Sequence, residues 1–276
     1  MKFDFDMGLS VKERNRLLHQ YGPWAIVTGA SSGIGRELSV KLAASGLHLI
    51  LTARRKNLLD QLASELEATH KIQTKTVVAD QANPMGVAAV IKAAEGLEVG
   101  LLVVAAGFGT SGHFHESKLD VEKNMLQVNC TALLEVTHHF SRQFVKNKRG
   151  GIILLSSMVG FQGVPFAANY AATKAYVQSL GEALHVELKP YGVDVLATAP
   201  GPVKSGFEGR ANMQMNMSMS PAQVAVPILK ALGRKSTNLP GFLTKFLVSS
   251  LRTVPRWGKV RIMKLVMGGM TQHQRA

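Results

Sequence analysis

The sequence has one cysteine, Cys130, and no Asp or Glu at all after Glu208. A single cysteine forms no internal disulfide, which excludes a disulfide-stapled domain and either suits a reducing compartment or says nothing about the compartment. The longest apolar run, over residues 99–108, is shorter than the roughly 18 residues that a membrane-spanning helix needs. The acidic start of the chain is unlike a secretory signal peptide. We therefore expect a cytoplasmic protein that does not cross a membrane, with peripheral membrane contact left open.

The missing carboxylates divide the charge of the chain. The formal charge is +14, yet the first 208 residues carry only +3, because the last 68 residues hold eleven Lys and Arg. Sequence-independent binding of DNA or RNA needs positive charge across the binding face. A near-neutral body with a basic tail therefore disfavours a nucleic-acid partner.

From residue 23 onward, apolar segments of strand length alternate with amphipathic helical segments. Strands of continuous Val, Ile and Leu indicate a parallel sheet covered by helices on both faces. We predict one α/β domain, a Rossmann-type doubly wound parallel sheet over residues 23–235. A helical preface over 1–22, capped by Ser10, precedes it, and a basic amphipathic helical extension over 236–276 follows it. The predicted strands cover residues 24–28, 48–52, 73–78, 100–105, 151–156 and 194–199.

The first predicted strand ends in a glycine-rich turn that leads into a helix. Gly29, Gly33 and Gly35 allow a tight turn and a close approach of the backbone to a pyrophosphate at the positive end of the helix. Ser31, Ser32 and Ile34 complete this turn. The motif by itself is weak, but its place between a strand and a helix favours a dinucleotide site.

The end of the second strand predicts the type of cofactor. An NAD site usually has an acidic residue there, whereas this chain has Ala53 followed by Arg54. Arginine suits a 2′-phosphate, so we expect NADP(H). Two interpretations of Arg55 stay open, a second phosphate contact or a solvated residue at the helix start. Asp80, at the end of the third strand, is placed either to contact adenine or simply to form a turn.

Tyr170 and Lys174 lie four residues apart and therefore on one face of a helix. A nearby cation favours the phenolate, which brings a tyrosine toward the working range of an acid–base catalyst. Ser157 lies thirteen residues upstream of Tyr170, at the end of a predicted strand. We expect these three side chains to meet in one cleft, and the sequence pattern gives no reason to expect a metal.

Together these residues resemble the short-chain dehydrogenase/reductase family over about residues 20 to 230. The resemblance implies that Tyr170 is the general acid/base, that Ser157 holds the substrate carbonyl oxygen, and that Lys174 binds the nicotinamide ribose and lowers the pKa of the tyrosine. It further implies that Asn129 supports a water in the proton relay. The same resemblance assigns cofactor contacts to Gly107, Pro200, Gly201, Val203 and Ser205.

The chain departs from the family after the fourth strand. The usual Asn-Asn-Ala-Gly is here Val104-Ala105-Ala106-Gly107, so both asparagine side chains are missing. In the family this motif ties strands together and lines the adenosine side. The departure therefore puts local stability and cofactor affinity in question rather than the chemistry.

The substrate-determining part is expected after Pro200, with a lid over about residues 203–220. Four methionines between 213 and 219 either line an adaptable apolar pocket or belong to a poorly ordered lid. The tail resembles the long-chain acyl and hydroxysteroid reductase branch. It is expected to fold over the substrate cleft or a dimer contact; the alternatives are an anionic membrane surface and an acidic handle such as coenzyme A or an acyl carrier protein.

The sequence therefore predicts an NADPH-dependent reductase of a ketone or aldehyde with a hydrophobic body, such as a 3-oxoacyl chain, a steroid or another lipid. Family resemblance implies a homodimer or homotetramer built on the fourth and fifth helices after the preface. The alternative function is a non-catalytic NADP(H)-binding sensor or scaffold.

Overall fold

A computed structural model describes residues 8–215 and 218–274. Its centre is one parallel sheet of seven strands in the order β3-β2-β1-β4-β5-β6-β7. The order reverses between β1 and β4, which places a ligand crevice at the carboxyl ends of these strands. The predicted Rossmann-type fold is confirmed. The strands are β1 (Trp24–Thr28), β2 (His48–Ala53), β3 (Thr74–Val78), β4 (Val99–Val104), β5 (Gly150–Leu155), β6 (Val193–Thr198) and β7 (Thr237–Asn238).

Helices cover both faces of the sheet because successive strand residues point to opposite sides. In β1, Ala25 and Val27 pack into a core formed with α2, α3 and α9, whereas Ile26 packs into a second core with α4, α6 and α7. The helices are α1 (Val11–Tyr21), α2 (Gly33–Ala43), α3 (Lys56–His70), α4 (Pro84–Ala93), α5 (Leu119–Leu126), α6 (Leu133–Asn147), α7 (Ala168–Leu188), α8 (Phe207–Ala211), α9 (Pro221–Ala231), α10 (Phe242–Ser250) and α11 (Arg256–Met270).

The N-terminal helix is anchored to the domain. The Ser10 hydroxyl accepts a hydrogen bond from the backbone of Glu13 and caps α1, as predicted. Arg16 donates to the carbonyl oxygens of Leu229 and Leu232 at the end of α9. The described part of the preface therefore packs against the catalytic body, while residues 1–7 lie outside the described residues.

Two elements differ from the sequence prediction. The sequence pattern predicts one long helix over residues 119–146, but a π-helical segment, Gln127–Ala132, separates α5 from α6. A seventh strand, β7, pairs with β6 beyond residue 235, the predicted end of the Rossmann domain. With two residues, β7 is too short to leave an apolar pattern in the sequence.

The tail forms two helices that lie against the body. Met263 and Met267 of α11 pack in a third core cluster with Phe108, Tyr170 and Met213. No helix within the described ranges has the length and apolar character required to cross a bilayer. The tail therefore completes the domain at the carboxyl end of the sheet.

Candidate active site

The glycine turn at the end of β1 is tightly packed against the neighbouring strand. Gly29 has φ +68, and a Cβ there would lie 2.8 Å from the backbone nitrogen of Ala106. Gly33 begins α2, so the unpaired amides of this helix face the cavity that the turn lines. Such an amide-rich helix start is a site for a phosphate group.

Thr28 holds the loop that follows β4. Its hydroxyl oxygen accepts hydrogen bonds from the backbone nitrogens of Ala105 and Ala106, at 3.1 and 3.0 Å. The side chain of Thr28 is fully buried, so these bonds are shielded from water. The loop after β4 is therefore tied to β1, although Val104 at the end of β4 and Ala105 in the loop stand where the family has asparagine.

Charged side chains of both signs lie at the ends of β2 and β3. Arg54 and the Asp80 carboxylate approach to 4.0 Å, and both are about half exposed. Arg55 donates to the hydroxyls of Ser31 and Ser32 in the glycine turn, at 2.9 and 2.8 Å. The guanidinium of Arg55 therefore lies at the turn rather than in bulk solvent, beside Arg54.

Unpaired polar atoms provide an independent test of whether a nucleotide fits this end. Gln81 is 5% exposed, and neither its amide nitrogen nor its amide oxygen has a partner among the described residues. The Thr52 hydroxyl is likewise buried without a described partner, and both residues line the cavity. Buried polar groups of this kind are costly unless something bonds them. The donors and acceptors of a nucleotide fit this requirement.

Ser157 and Tyr170 face the same cavity from β5 and α7. Ser157 lies two residues after the end of β5, and its side chain caps the short 3₁₀ helix Met158–Phe161. Burial raises the pKa of Tyr170 to about 12, and the Ser157 hydroxyl opposes this in part. The predicted lowering of the tyrosine pKa is therefore wrong for the protein by itself, because removal of the phenolate from water outweighs the neighbouring groups.

Lys174 lies one helical turn beyond Tyr170 on α7. Its ammonium donates to the carbonyl oxygen of Leu155 at 2.7 Å and lies 5.9 Å from the centre of the Tyr170 ring. Burial lowers the pKa of Lys174 to about 8. The lysine and the tyrosine are both destabilised in their charged forms, so each favours its neutral form more than it does in water.

Asn129 lies behind the cavity wall rather than in it. It belongs to the π-helical segment between α5 and α6, a feature often found at functional sites. Its side chain donates to the carbonyl oxygen of Phe108 and the hydroxyl of Thr173, and accepts from the backbone nitrogen of Phe108. Asn129 therefore connects α7 to the loop after β4.

The cavity unites almost all of the predicted site residues. It has a volume of about 1260 Å³, above the usual range for a single drug-sized ligand, and is therefore large enough for a dinucleotide and a second ligand. Except for Asn129, the predicted residues line it: Gly29, Ser31, Ser32, Gly33, Ile34, Gly35, Arg54, Arg55, Asp80, Gly107, Ser157, Tyr170, Lys174, Pro200, Gly201, Val203 and Ser205.

The other end of the cavity is apolar and is built by the tail. Met213 and Met215 of the predicted lid line it, whereas residues 216 and 217 lie outside the described residues. The helices α10 and α11 add further apolar side chains, namely Leu243, Leu247, Leu251, Ile262, Met263, Val266, Met267 and Met270. The tail therefore closes over the cleft, which was the favoured interpretation of its sequence.

Sequence reasoning missed Arg210. This residue of α8 places its guanidinium 3.7 Å above the ring of Phe108 and lines the cavity. Burial and the neighbouring Arg54 lower its pKa, while Asp80 raises it. Arg210 is thus a third cation near the nucleotide end. No sequence motif marks Arg210, because its place over the Phe108 ring depends on a contact between distant segments.

Comparison with protein families decides the identity of this fold and site. The model of the short chain dehydrogenase family matches residues 23–216. The chain belongs to the short-chain dehydrogenase family. It is therefore an oxidoreductase, and its glycine-rich turn, Ser157, Tyr170 and Lys174 line one cavity, as the sequence predicted.

Individual relatives of this dehydrogenase act on hydrophobic molecules according to their names. A 7beta-hydroxysteroid dehydrogenase of Collinsella aerofaciens is 30% identical, over 82% of this chain and 88% of its own. A very-long-chain 3-oxoacyl-CoA reductase of Phaeosphaeria nodorum is 36% identical, over 64% of this chain and 55% of its own. The predicted acyl and hydroxysteroid reductase branch is thereby confirmed.

Solved structures give the same result. A 7beta-hydroxysteroid dehydrogenase structure matches with a TM-score of 0.83 and 28% identity, over 90% of this chain and 98% of its own. A short-chain dehydrogenase from Sphingobium yanoikuyae in complex with NADPH matches with a TM-score of 0.77 and 29% identity, over 85% of this chain and 98% of its own.

Proposed function

We propose that this dehydrogenase uses NADPH to reduce a hydrophobic ketone or aldehyde to an alcohol. The observation that carries the proposal is the position of Tyr170, a buried and protonated phenol beside Ser157. These groups line one cavity together with an amide-rich glycine turn and an apolar tail. Proton donor, phosphate site and apolar chamber thus adjoin one another.

The cofactor is NADP(H). No carboxylate stands at Ala53, so Arg54 and Arg55 leave the end of β2 positively charged, which suits a 2′-phosphate. The unpaired Gln81 amide supports a contact with the adenine, next to Asp80. Pro200, Gly201, Val203 and Ser205 are proposed to hold the nicotinamide end. The NADPH complex of the Sphingobium yanoikuyae relative supports NADP(H) as the cofactor.

When bound, the cofactor supplies a hydride to the carbonyl carbon of the substrate. Tyr170 donates a proton to the carbonyl oxygen, and the Ser157 hydroxyl donates a hydrogen bond to the same oxygen. Lys174 supports Tyr170 electrostatically and is proposed to bind the nicotinamide ribose. Asn129 is proposed to hold a relay water through the backbone that it orders around Phe108.

The apolar end of the cavity supports a lipid-like substrate. Leucine, isoleucine and methionine side chains surround it, and methionine adapts to irregular apolar shapes. The names of the relatives, a hydroxysteroid dehydrogenase and a 3-oxoacyl-CoA reductase, support steroid and 3-oxoacyl carbonyls as the first classes to examine.

A panel of ketones and 3-oxoacyl thioesters of rising chain length tests this function through NADPH consumption and product identification. Tyr170→Phe keeps the ring and removes the proton donor, so we expect kcat to fall by about 10²- to 10⁴-fold while the NADPH Kd changes little. Tyr176→Phe, a change at a 38% exposed tyrosine of the same helix, is the matched control.

Undiminished turnover by the Tyr170→Phe protein would contradict the assigned role of this tyrosine. Tight NADPH binding without turnover of any carbonyl in the panel would instead favour the alternative, a non-catalytic sensor or scaffold. In the structure, Thr28 ties the loop after β4 to β1, so the loop is anchored without the two asparagines and its altered sequence gives that alternative little support.

We also propose a homodimer or homotetramer that uses the outer faces of α5, α6 and α7. Leu126, Leu134 and Val186 expose large apolar side chains on these helices, which supports such an interface. Light scattering on the purified protein measures the molar mass of the assembly, and a monomer at micromolar concentration would contradict the proposed oligomer.

A cytoplasmic location and contact of the tail with an acyl carrier or coenzyme A stay predictions.

A further inference from the structure

The tail carries exposed apolar side chains that do not face the cavity. We define the tail surface by four of them, Phe242 and Phe246 of α10 and Trp257 and Leu265 of α11, which are 84, 58, 64 and 79% exposed. The two phenylalanines lie one helical turn apart with nearly parallel rings, 6.4 Å between centroids. Exposed apolar groups of this size and proximity indicate an interaction site.

The cations around these side chains are free of carboxylate partners. Lys245, Arg252, Arg256, Arg261 and Lys264 are exposed, and among the described residues none of them forms an ion pair. The Arg261 guanidinium lies over the Trp257 ring, 5.1 Å from its centre. The segment after Glu208 has no acidic residue, so its positive charge is not neutralised within the segment.

The tail surface adjoins the mouth of the cavity. Leu243, Ile262 and Val266 line the cavity and are nevertheless 43, 39 and 49% exposed, so they lie at its opening. Leu243 follows Phe242 in the chain, and Val266 follows Leu265. On α11, Ile262, Leu265 and Val266 have the i, i+3, i+4 spacing of one helix face. The apolar route into the cavity therefore continues onto the exposed apolar surface.

We propose that the tail surface docks onto an anionic lipid bilayer, with α10 and α11 lying in the interface. Aromatic and leucine side chains beside unpaired lysine and arginine are the combination that binds such an interface. A second copy of the chain is disfavoured as the occupant, because two acid-free basic surfaces repel. An acidic protein satisfies the cations but offers no match for four separately exposed apolar side chains.

Docking in this orientation turns the cavity mouth toward the lipid. An apolar substrate then enters from the bilayer without crossing water. This second step rests on the proposed function, whereas the docking itself does not depend on any reaction.

Sedimentation of the full chain with lipid vesicles tests the docking. We expect binding to vesicles of phosphatidylcholine with phosphatidylserine and at least tenfold weaker binding to phosphatidylcholine alone. Phe242→Ser/Phe246→Ser on α10 and Trp257→Ser/Leu265→Ser on α11 should each weaken binding at least tenfold. Lys245→Gln/Lys264→Gln should weaken it about 20-fold at low salt, because each basic residue near the surface contributes separately.

Matched controls keep the number and type of changes. Val11→Ser/Met85→Ser removes two apolar side chains that are 62 and 78% exposed elsewhere, and Lys12→Gln/Lys146→Gln removes two exposed lysines. We expect both controls to bind vesicles like the unchanged protein. Circular dichroism and NADPH binding, measured on every variant, identify any that does not fold.

Three results overturn the docking proposal. The first is failure of the unchanged protein to bind anionic vesicles. The second is an equal loss of vesicle binding in the tail variants and the control variants. The third is a concentration-dependent dimer that the tail variants abolish, while no protein binds the vesicles. Reduction of a small water-soluble ketone separates the two proposals. If neither the unchanged protein nor any variant reduces this ketone while vesicle binding follows the expected pattern, only the proposed function fails.

Discussion

The two ends of the cavity are built from different parts of the chain and by different means. The nucleotide end consists of strand termini, a glycine turn and the start of α2, all fixed by the parallel sheet. The substrate end consists of methionine, leucine and isoleucine side chains from the lid and the tail, which lie on helices added after the sheet is nearly complete. The comparison shows that the end fixed by the sheet supplies hydrogen bonds and charge, whereas the end built from the lid and the tail supplies apolar contact area.

The largest expected effect concerns the acid–base corner between the two ends. Burial lowers the pKa of Lys174 from 10.5 to about 8. Below pH 8 both the folded and unfolded chains hold this proton, so the cost of burying the charged lysine lowers the stability of the folded chain by its full amount. Between pH 8 and 10.5 the unfolded chain binds more protons, so stability should rise with pH by at most about 3 kcal/mol.

Urea unfolding of the cofactor-free protein from pH 7 to 10 measures this slope. Lys174→Met should remove it, since no titrating group is left at the position. Tyr170 acts in the opposite sense at higher pH, because its pKa is raised from 10.0 to about 12 and stability is lost as pH rises through that window. If Lys174→Met leaves the rise of stability with pH intact, burial does not destabilise the charged form of this lysine.

The nucleotide end should respond to charge alone. Arg54→Ala removes a cation proposed to meet the 2′-phosphate, so we expect the Kd for NADPH to rise about 10- to 100-fold and that for NADH to stay nearly constant. Calorimetry with both cofactors measures the difference. Lys56→Ala, beyond Arg55 and paired with Asp60, is the control. Equal losses for NADPH and NADH would contradict the role of Arg54.

Arg210 is an exception to this division between the two ends, because it is a cation that comes from α8 in the lid rather than from the sheet. It lines the cavity, with its guanidinium above Phe108 and near Arg54. Arg210→Gln should weaken NADPH and NADH alike by about five- to tenfold, as expected for a diphosphate contact. A loss confined to NADPH would instead assign Arg210 to the 2′-phosphate, and no loss would leave it without a cofactor role.

The smallest effect is expected at the apolar end. Met267 is 3% exposed and lines the cavity, so Met267→Ala enlarges the chamber without touching the nucleotide end. We expect the KM for a long-chain ketone to change about threefold, the KM for a short ketone to change less, and the NADPH Kd to stay constant. A parallel change in NADPH affinity would show that the two ends are coupled.

Local patterns were sufficient for most of the sheet and for the cofactor turn. The first strand and the Ser10 cap were predicted at their observed positions, because strand length, glycine spacing and capping residues are recorded in adjacent residues. The π-helical segment at Gln127–Ala132 was not, since no residue type marks the change from i→i+4 to i→i+5 hydrogen bonds. Strand β7 escaped prediction because it exists only by pairing with β6.

The candidate site shows the same limit. Ser157, Tyr170 and Lys174 were predicted because their order and spacing describe one strand end and one helix face. Gln81 and Arg210 were not, because an unpaired buried amide and a guanidinium over a ring are properties of contacts between distant segments. The pKa of Tyr170 was predicted in the wrong direction, since spacing reveals a nearby cation but not the extent of burial.

The sequence by itself determined the fold and the family, and it led to the predictions of a phosphate beside Arg54 and of Ser157, Tyr170 and Lys174 as the acid–base groups. Each of these follows from residue types at short, fixed separations. Only the tertiary structure decided that the acid-free tail closes the cavity with one face and exposes the tail surface with the other. Burial is a property of the whole packed chain, so the same apolar residues become a chamber wall or a docking surface according to what packs against them.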